Sequence, residues 1–505
     1  MARDGTEYGA RGRWYDGNLV RFYGNNVGPI GGWKVRGDVV DGEPTDIVSG
    51  AARSIIAWRD NSNARRIVVG THSGLYHQSA IAAVLDITPV GYAVGDVNGG
   101  TRSGYGEGAF GSGAFGVARP DTGDSNDATR WALDTFGQLP VACTATDGTI
   151  YSWDLNSSNV AEPVTNAPTL CQGIAVTEQR ALMAFGAGGD TRNVAWSDLE
   201  NMTDWTPTAE NQAGDFNLST HGSIVLGLRV GPKMLILTTV DAHVASYVRP
   251  PFVYGFQRVG QGCGAISSGC AVVAGQFAFW WGRSGFWRYD GGSVVPLKCD
   301  VLDFITRDLN RGQKSKISAY HNSRFGEVTW LYPSSTSVEN DSYVTHSYRD
   351  GWWVTGEMVR GCGVEEGAFI YPLLVSIDDA DAGLKSGAIY EHERGYEYDD
   401  AVPWVETGPL GNESWPPQFV SGDRVMKING VIGDEQTVGK VSVGFKTRNF
   451  PNSPETTIAQ KTLTARGEAD FRFSGRQVRM RIEGVASTNW RFGTARLRAE
   501  VGGGR

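Results

Sequence analysis

The sequence predicts an all-β protein, a β-propeller of six to eight blades with a smaller antiparallel β-sandwich or platform domain. Glycine accounts for 68 of the 505 residues, and the chain has 16 Trp, 20 Phe and 18 Tyr but only 20% charged residues. Glycine permits the tight turns between short strands, and aromatic side chains pack well on pleated sheets. Hairpin patterns repeated along the chain are the second observation behind the prediction.

Seven segments share one local pattern: a β-rich run, a tight turn, and a second run with aromatic residues. Three of them turn at Ser73–Gly74, Asp147–Gly148 and Ser284–Gly285, and weaker copies span 180–198, 232–248, 327–353 and 372–393. Their irregular spacing is typical of propeller blades joined by loops of variable length. A sandwich is the structural alternative, but seven hairpins are more than one sandwich usually holds.

The predicted domain organisation follows these patterns. Residues 1–45 form an N-terminal β segment that is part of the platform, and residues 46–407 form the propeller. The propeller carries a glycine-rich loop insertion at 92–128 and one short helix at 301–311. Residues 420–505 form the C-terminal sandwich or platform domain.

The helix is the one predicted break in the β pattern. Asp300 is placed to cap it, Val301, Ile305 and Leu309 fall on one face, and Gly312 is placed to end it. We expect this helix to pack against a blade.

The C-terminal region alternates between apolar and charged residues. Val478, Met480 and Ile482 are separated by charged side chains, and residues 495–501 repeat the pattern. A period of two residues predicts strands with one buried and one solvated face.

Charge is unevenly distributed along the chain. The net charge is −9, but Arg466–Arg505 holds nine arginines and four acidic residues, so this end carries +5 and the rest −14. The overall sign argues against wrapping nucleic acid. A basic end on an acidic body favours head-to-tail or partner contacts, and arginines solvated on one sheet face are an equal alternative.

Neither a membrane span nor a secretion signal is predicted, since no apolar run approaches the necessary length. The six cysteines are scattered without a C-x-x-C pair. We therefore expect a soluble protein with buried thiols, kept in a reducing compartment, rather than disulfides or a zinc site.

The stretch GEGAFGSGAFG contains the glycine fingerprint of dinucleotide-binding proteins twice, from Gly106 to Gly111 and from Gly111 to Gly116. That fingerprint needs a strand before it and a helix after it, because the phosphates lie at the helix N-terminus. Both flanks here have loop composition. Tyr105, Phe110 and Phe115 recur every five residues, which predicts an irregular loop held to a surface by its rings.

GEGAFGSGAFG, followed by RWALDTFGQLPVACTATDGTIYSWD, resembles tail nozzle proteins of short-tailed bacteriophages, also called tail hub or stabilization proteins. RWYDGNLVRFYGNNVGPIGGW, VAWSDLENMTDWTP, FAFWWGRSGFWRYDGG and GRQVRMRIEG with the closing GGGR agree with that family in the same order. Each motif is a turn with aromatic residues, so their order carries the resemblance.

The resemblance implies a virion structural protein without catalysis, cofactor or metal. Its fold would be a propeller with a β-rich platform, and it would assemble as a ring, a hexamer, below the portal and adaptor. Tail fibres or spikes and a plug or needle would dock to this ring, and DNA would pass through it without sequence-specific binding. The protein would be assembled in the bacterial cytoplasm, with no membrane anchor, and would end in the virion tail.

Two acidic clusters make a propeller glycosidase or depolymerase the alternative, because glycoside hydrolysis needs two carboxylates flanking a sugar. Both clusters are better explained as solvated turns, and the first lacks the terminal Glu of a calcium loop. The first cluster is Asp378, Asp379 and Asp381, and the second is Glu391, Glu393, Glu397, Asp399 and Asp400.

A carbohydrate-binding propeller is a further alternative, because aromatic rings clustered on the hairpin at 277–292 could stack on sugars. We favour packing between blades for these rings, which are Trp280, Trp281, Phe286, Trp287 and Tyr289. Histidines show no metal spacing, and His72 and His77, which flank one turn, are expected at the surface or an edge. No catalytic motif occurs.

Overall fold

The fold is taken from a computed structural model, which describes residues 1, 3, 10, 12–41, 43–79, 83–101, 125–377, 386–410, 424–437, 439–450 and 452–501. The N-terminal region of the described chain contains short strands. These are β1 (Trp14–Asn18), β2 (Val20–Tyr23), β3 (Asn26–Pro29), β4 (Trp33–Val35), β5 (Val39–Val40) and β6 (Glu43–Pro44).

Seven four-stranded antiparallel sheets follow and form the blades of a β-propeller, which confirms the predicted fold. Blade one is β7 (Ala52–Arg59), β8 (Arg65–Thr71), β9 (Leu75–Gln78) and β10 (Val84–Asp86). After the two-stranded ladder of β11 (Gly100–Thr101) and β12 (Ser125–Asn126), blade two is β13 (Trp131–Phe136), β14 (Leu139–Thr144), β15 (Ile150–Ser152) and β16 (Glu162–Pro163). Blade three is β17 (Gly173–Val176), β18 (Leu182–Phe185), β19 (Asn193–Trp196) and β20 (Gly214–Asn217).

Blades four to seven continue in the same order along the chain. Blade four is β21 (Ile224–Val230), β22 (Lys233–Thr238), β23 (Asp241–Arg249) and β24 (Val253–Gln261), and blade five is β25 (Ala271–Ala274), β26 (Phe277–Gly282), β27 (Gly285–Tyr289) and β28 (Val294–Pro296). Blade six is β29 (Ser318–Asn322), β30 (Glu327–Tyr332), β31 (Ser342–Ser347) and β32 (Trp353–Glu357), and blade seven contains β33 (Cys362–Val364), β34 (Leu373–Val375) and β35 (Ile389–His392). The first strands of neighbouring blades contact one another in a closed ring, so they surround the propeller axis.

Strand β4 completes blade seven from the other end of the chain. It pairs antiparallel with β35, with Val35 opposite Tyr390 and Trp33 opposite His392. The predicted assignment of residues 1–45 to the platform is therefore wrong for β4. A three-residue strand leaves too little local pattern to reveal a partner so distant in sequence.

A smaller β-sandwich contains the C-terminal strands. They are β36 (Trp404–Thr407), β37 (Met426–Ile432), β38 (Val441–Arg448), β39 (Thr456–Thr462), β40 (Glu468–Gly475), β41 (Gln477–Gly484) and β42 (Arg496–Val501). One sheet has the order β1-β36-β41-β38-β39 and the other β40-β37-β42. The predicted propeller boundary at residue 407 is thus too late, because β36 pairs with β1 and β41.

The predicted helix is present but shorter: α1 spans Leu302–Asp308. Val301, Ile305 and Leu309 are buried as expected. Asp300 does not cap it, because its carboxylate pairs with Arg13 instead. Nor does Gly312 end it, because that residue lies in a separate 3-10 segment, Arg311–Lys316; another 3-10 turn spans Ala187–Gly189.

Each of the seven predicted hairpins is the second and third strand of one blade, a direct confirmation of the repeat. Aromatic residues fill the spaces between blades, and some glycines leave room for them. A Cβ on Gly70 of blade one would lie 2.5 Å from Trp131 of blade two, and one on Gly227 of blade four would lie 2.1 Å from Phe185 of blade three. This inter-blade packing explains why the chain is rich in both residue types.

Candidate functional site

A cavity of about 730 Å³ lies on the propeller axis. All seven innermost strands contribute to its lining, which includes Ser54, Gly173, Ile224, Ala271, Ser318 and Cys362. It extends to the end of the blades at which these strands begin, where the connecting loops form its rim. Axial cavities of this size in a rigid scaffold are suited to small ligands.

The charged residues that line this axial cavity are three cations and one acid: Arg130, Arg283, Lys314 and Asp127. Arg130 immediately precedes β13 of blade two, yet its guanidinium lies against the loop before blade five. A Cβ on Gly269 would be only 2.3 Å from its Nη1. The missing side chain at Gly269 therefore lets Arg130 reach across the axis.

The guanidinium of Arg130 has an unsatisfied donor. Its Nη1 is shielded from solvent and has no hydrogen-bond partner in the described part of the chain. Burial, with a smaller contribution from Arg53, lowers the pKa of Arg130 to about 10. The group is still protonated at neutral pH, so the cavity is lined by a positive charge whose Nη1 has no partner among the described residues. The sequence reasoning missed Arg130; the only signal was a charged residue at the start of an apolar strand, in RWALD.

A second group of buried charges lies at the same end of the propeller, where Arg53 and Lys316 both pair with Glu339. Arg53 donates to both oxygens of Glu339, at 2.5 and 2.7 Å, and Lys316 donates to Glu339 at 2.8 Å. Lys316 also donates to Asn98 Oδ1 at 2.6 Å. Burial lowers the pKa of Lys316 to about 8. These contacts join the loops of blades one and six and hold the loop that leaves blade one.

The predicted acidic cluster at 391–400 divides into buried and solvated members. Glu393 is not a solvated turn residue: it is 10% exposed and accepts from Arg21 at 2.6 Å and from the Gly31 amide at 2.8 Å. Arg21 also pairs with Glu327, through two bonds of 2.5 and 2.7 Å. The sequence correctly predicted a turn here, but Arg21 on β2 pairs with the carboxylate of Glu393. Glu393 therefore joins the N-terminal hairpin to blades six and seven.

The other members of that cluster have less buried positions. Glu397 and Asp400 are exposed, as predicted, and Glu391 lies 3.5 Å from Arg36. Asp399 accepts from the indole of Trp33 at 2.5 Å. Asp378, Asp379 and Asp381 of the other cluster lie outside the described residues.

A second cavity, of about 760 Å³, lies between the outer strand of blade seven and the sandwich. Asp399, Asp400 and Tyr398 are among its lining residues. Behind it, Arg360 stacks on Trp33 at 4.9 Å and donates to Nε2 of His392 at 3.1 Å. Because these contacts with aromatic rings are buried, we interpret the arrangement as a structural junction.

The aromatic cluster of blade five packs between blades, as favoured from the sequence. Trp280, Trp281, Phe286 and Tyr289 are at most 3% exposed, and Trp287 is partly buried. Phe286 lies 4.6 Å from Trp330 and 4.8 Å from Trp353 of blade six. These rings are not available as a sugar-stacking surface.

His77 corrects another prediction. It is buried, at 4% exposure, and its ring lies 4.8 Å from Trp153, rather than at the surface. Burial, together with Arg66, lowers its pKa to about 4. His72 is partly buried and accepts from the Ala51 amide at 3.0 Å. The turn that both histidines flank is covered by the next blade, which local sequence does not reveal.

Three of the nine C-terminal arginines, Arg479, Arg481 and Arg498, form ion pairs within the sandwich, whereas Arg466, Arg472 and Arg496 are exposed, as the solvated alternative predicted. Arg479 lies 3.2 Å from Glu406 and 2.5 Å from Glu455, and Arg498 pairs with Glu468 at 2.8 Å. In β41 the predicted apolar face is buried; in β42 Leu497 is half-buried and Ala499 exposed, because this strand is at a sheet edge.

All six cysteines are buried free thiols, as predicted. The described residues contain no group of three or more His, Cys, Asp or Glu placed to hold a metal ion. Within the same residues, no helix has the length and apolar character that crossing a bilayer requires. The glycine-aromatic repeat at 105–116 lies outside the described residues.

Comparisons with known proteins add structural neighbours only. No family model matches the chain, and no curated protein matches it. It is similar to virginiamycin B lyase from Staphylococcus aureus, with a TM-score of 0.41 and 6% identity over 69% of this chain and 95% of that one. It is also similar to the Pan2 WD40 domain of Neurospora crassa, with a TM-score of 0.38 and 8% identity over 75% and 98% of the two chains. A streptogramin B lyase gives 0.35 and 9% over 68% and 95%.

Proposed function

We propose that this protein is the structural subunit of a phage tail nozzle ring. In this role it would form part of a DNA ejection channel below the portal and adaptor, and would present surfaces for fibres or spikes and a plug. The observation that carries the proposal is the fold. A propeller and a β-rich platform within one chain are what the ordered nozzle-like motifs imply, and the chain has seven blades and a sandwich.

One of those motifs lies at the junction of the two parts of the chain and the others lie in central strands, which supports the proposal further. The N-terminal motif at 13–33 contains β1 of the sandwich and the beginning of β4, which closes blade seven. The motif at 277–292 contains the central hairpin of blade five, and that at 475–484 contains β41, in the middle of the larger sandwich sheet. The N-terminal motif is thus the segment that joins the two parts.

The channel would lie on the axis of the ring and not inside one propeller. The axial cavity measures about 730 Å³ and Arg130 extends across it, which leaves no passage for duplex DNA. The net charge of −9 suits a ring through which DNA slides, because like charges prevent the phosphates from binding to the wall.

The mass and symmetry of the purified protein test this proposal. We expect light scattering and negative-stain imaging to show a closed ring, a hexamer, alone or after mixing with the portal, adaptor and tail components. A chain that stays monomeric at high concentration and with all these partners would contradict it. Ring images with no open centre would contradict the channel.

A further inference from the structure

We propose that the axial cavity of the propeller is a binding site for a small anion with a phosphate or carboxylate group, and that Arg130 is its principal ligand. The site would belong to the individual subunit. It does not depend on assembly into a ring, so the two proposals can fail separately.

The first argument is the unpaired guanidinium. Arg130 Nη1 is out of contact with solvent and has no partner among the described residues. A buried donor without an acceptor is costly, and more so on a charged group. The hydroxyl of Ser54, which also lines the cavity, is buried without a hydrogen-bond partner. An anion with two or more oxygens would satisfy both residues.

The second argument is a comparison with the other buried arginines. Arg21 and Arg53, which are 3% and 0% exposed, each form a two-bond contact with a glutamate. Both of these guanidinium groups are thus provided with a carboxylate of the chain. Among the described residues, Nη1 of Arg130 has no such partner, and Arg130 lines the axial cavity. The proposed anion would supply the acceptor.

The third argument is the charge around the cavity. Arg283 and Lys314 are at the rim with Arg130, and Asp127, the acid in the lining, is exposed. Two cations at the entrance attract anions to the site. Phosphate and carboxylate each present a pair of oxygens that a guanidinium binds through two parallel hydrogen bonds.

Binding can be measured on the intact protein with inorganic phosphate and with citrate, by calorimetry and thermal shift at constant ionic strength. We expect saturable binding of at least one of the two probes, and their relative affinities distinguish phosphate from carboxylate ligands. Arg130→Gln should weaken binding at least about tenfold, because a charge-assisted pair of hydrogen bonds is lost. Arg307→Gln is the matched control, since Arg307 is 67% exposed on α1 and remote from the lining.

A second variant guards against a folding defect in Arg130→Gln. Arg283 is exposed at the rim, so Arg283→Gln should fold normally and still lower the affinity severalfold. The proposal is overturned if neither probe binds saturably, or if the wild type, Arg130→Gln and Arg283→Gln bind equally well.

Discussion

Arg21 fixes the N-terminal hairpin to the propeller with a single side chain. It is 3% exposed, pairs with Glu327 and Glu393, and stacks on Phe325 at 3.5 Å. Residues 21 and 393 are separated by 372 positions in sequence. The sequence correctly predicted a turn around Glu393 but not its burial, because the residue that pairs with it is in another part of the fold.

Replacing Arg21 tests how much this junction contributes. Arg21→Met would leave two carboxylates without their partner in a buried site, so we expect the free energy of unfolding to fall by about 3–5 kcal/mol. Urea denaturation measures the change. Arg394→Met is the control, because Arg394 pairs with Glu391 but is 41% exposed, and it should cost no more than about 1 kcal/mol. Equal losses in the two variants would contradict the role of Arg21.

The buried ring of His346 makes the stability of the folded protein depend on pH. The ring is 6% exposed and stacked on Trp353 at 4.2 Å, and burial lowers its pKa from 6.5 to about 4. The unfolded chain therefore binds a proton that the folded chain does not between these values, so stability is lost as pH falls from about 6.5 to about 4. We expect this residue to contribute roughly 2–3 kcal/mol of that loss.

Unfolding free energies of His346→Phe at pH 7.5 and 4.5 measure this contribution. The variant should lose less stability over this interval than the wild type, while His77 and His392, whose pKa values are also lowered, keep part of the dependence. His221→Phe, at an exposed position, should retain the wild-type dependence. If His346→Phe behaves like His221→Phe, the burial argument is wrong.

At the scale of elements, the sequence predicted those parts of each blade that are local. The second and third strands meet in a turn and contain long apolar runs, so all seven pairs could be found. Most outer strands could not, because they are short and follow variable loops: β16 has two residues and β10 has three. Strand β4 was harder still to predict, because the strand that pairs with it is at the opposite end of the propeller sequence.

A proline in β4 tests the closure of the ring of blades. The backbone amide of Arg36 donates to the Ile389 carbonyl at 2.8 Å. Hydrogen-bonded pairs alternate along an antiparallel ladder, so the amide of Lys34 is directed toward Glu391. Lys34→Pro removes that donor, and we expect a loss of at least about 2 kcal/mol. Lys34 is exposed, so Lys34→Ala should change stability by less than about 0.5–1 kcal/mol. Equal urea midpoints for the two variants would show that β4 does not hold blade seven.

At the scale of the whole molecule, the two parts share the N-terminal segment, with β1 in the sandwich and β4 in the propeller. Along the sequence, these two parts also differ in net charge. The C-terminal +5 predicted contacts between a basic end and an acidic neighbour, but Arg479, Arg481 and Arg498 pair within the sandwich. Net charge along a segment could be read from the sequence, whereas which charges neutralise one another depends on the folded sheets.

Internal pairing leads to a prediction about the proposed ring. Since the ion pairs of Arg479, Arg481 and Arg498 form within one subunit, we expect contacts between subunits to depend little on ionic attraction. The dissociation constant of the ring should change by less than about tenfold between 0.1 and 1 M NaCl, where the screening length falls from about 10 to 3 Å. Sedimentation velocity at both salt concentrations measures it. Arg466, Arg472 and Arg496 are exposed, so their joint replacement by glutamine tests the opposite view. If the triple variant does not form the ring, or if high salt dissociates it, the basic end does contact an acidic neighbour. The sandwich is then part of the subunit interface.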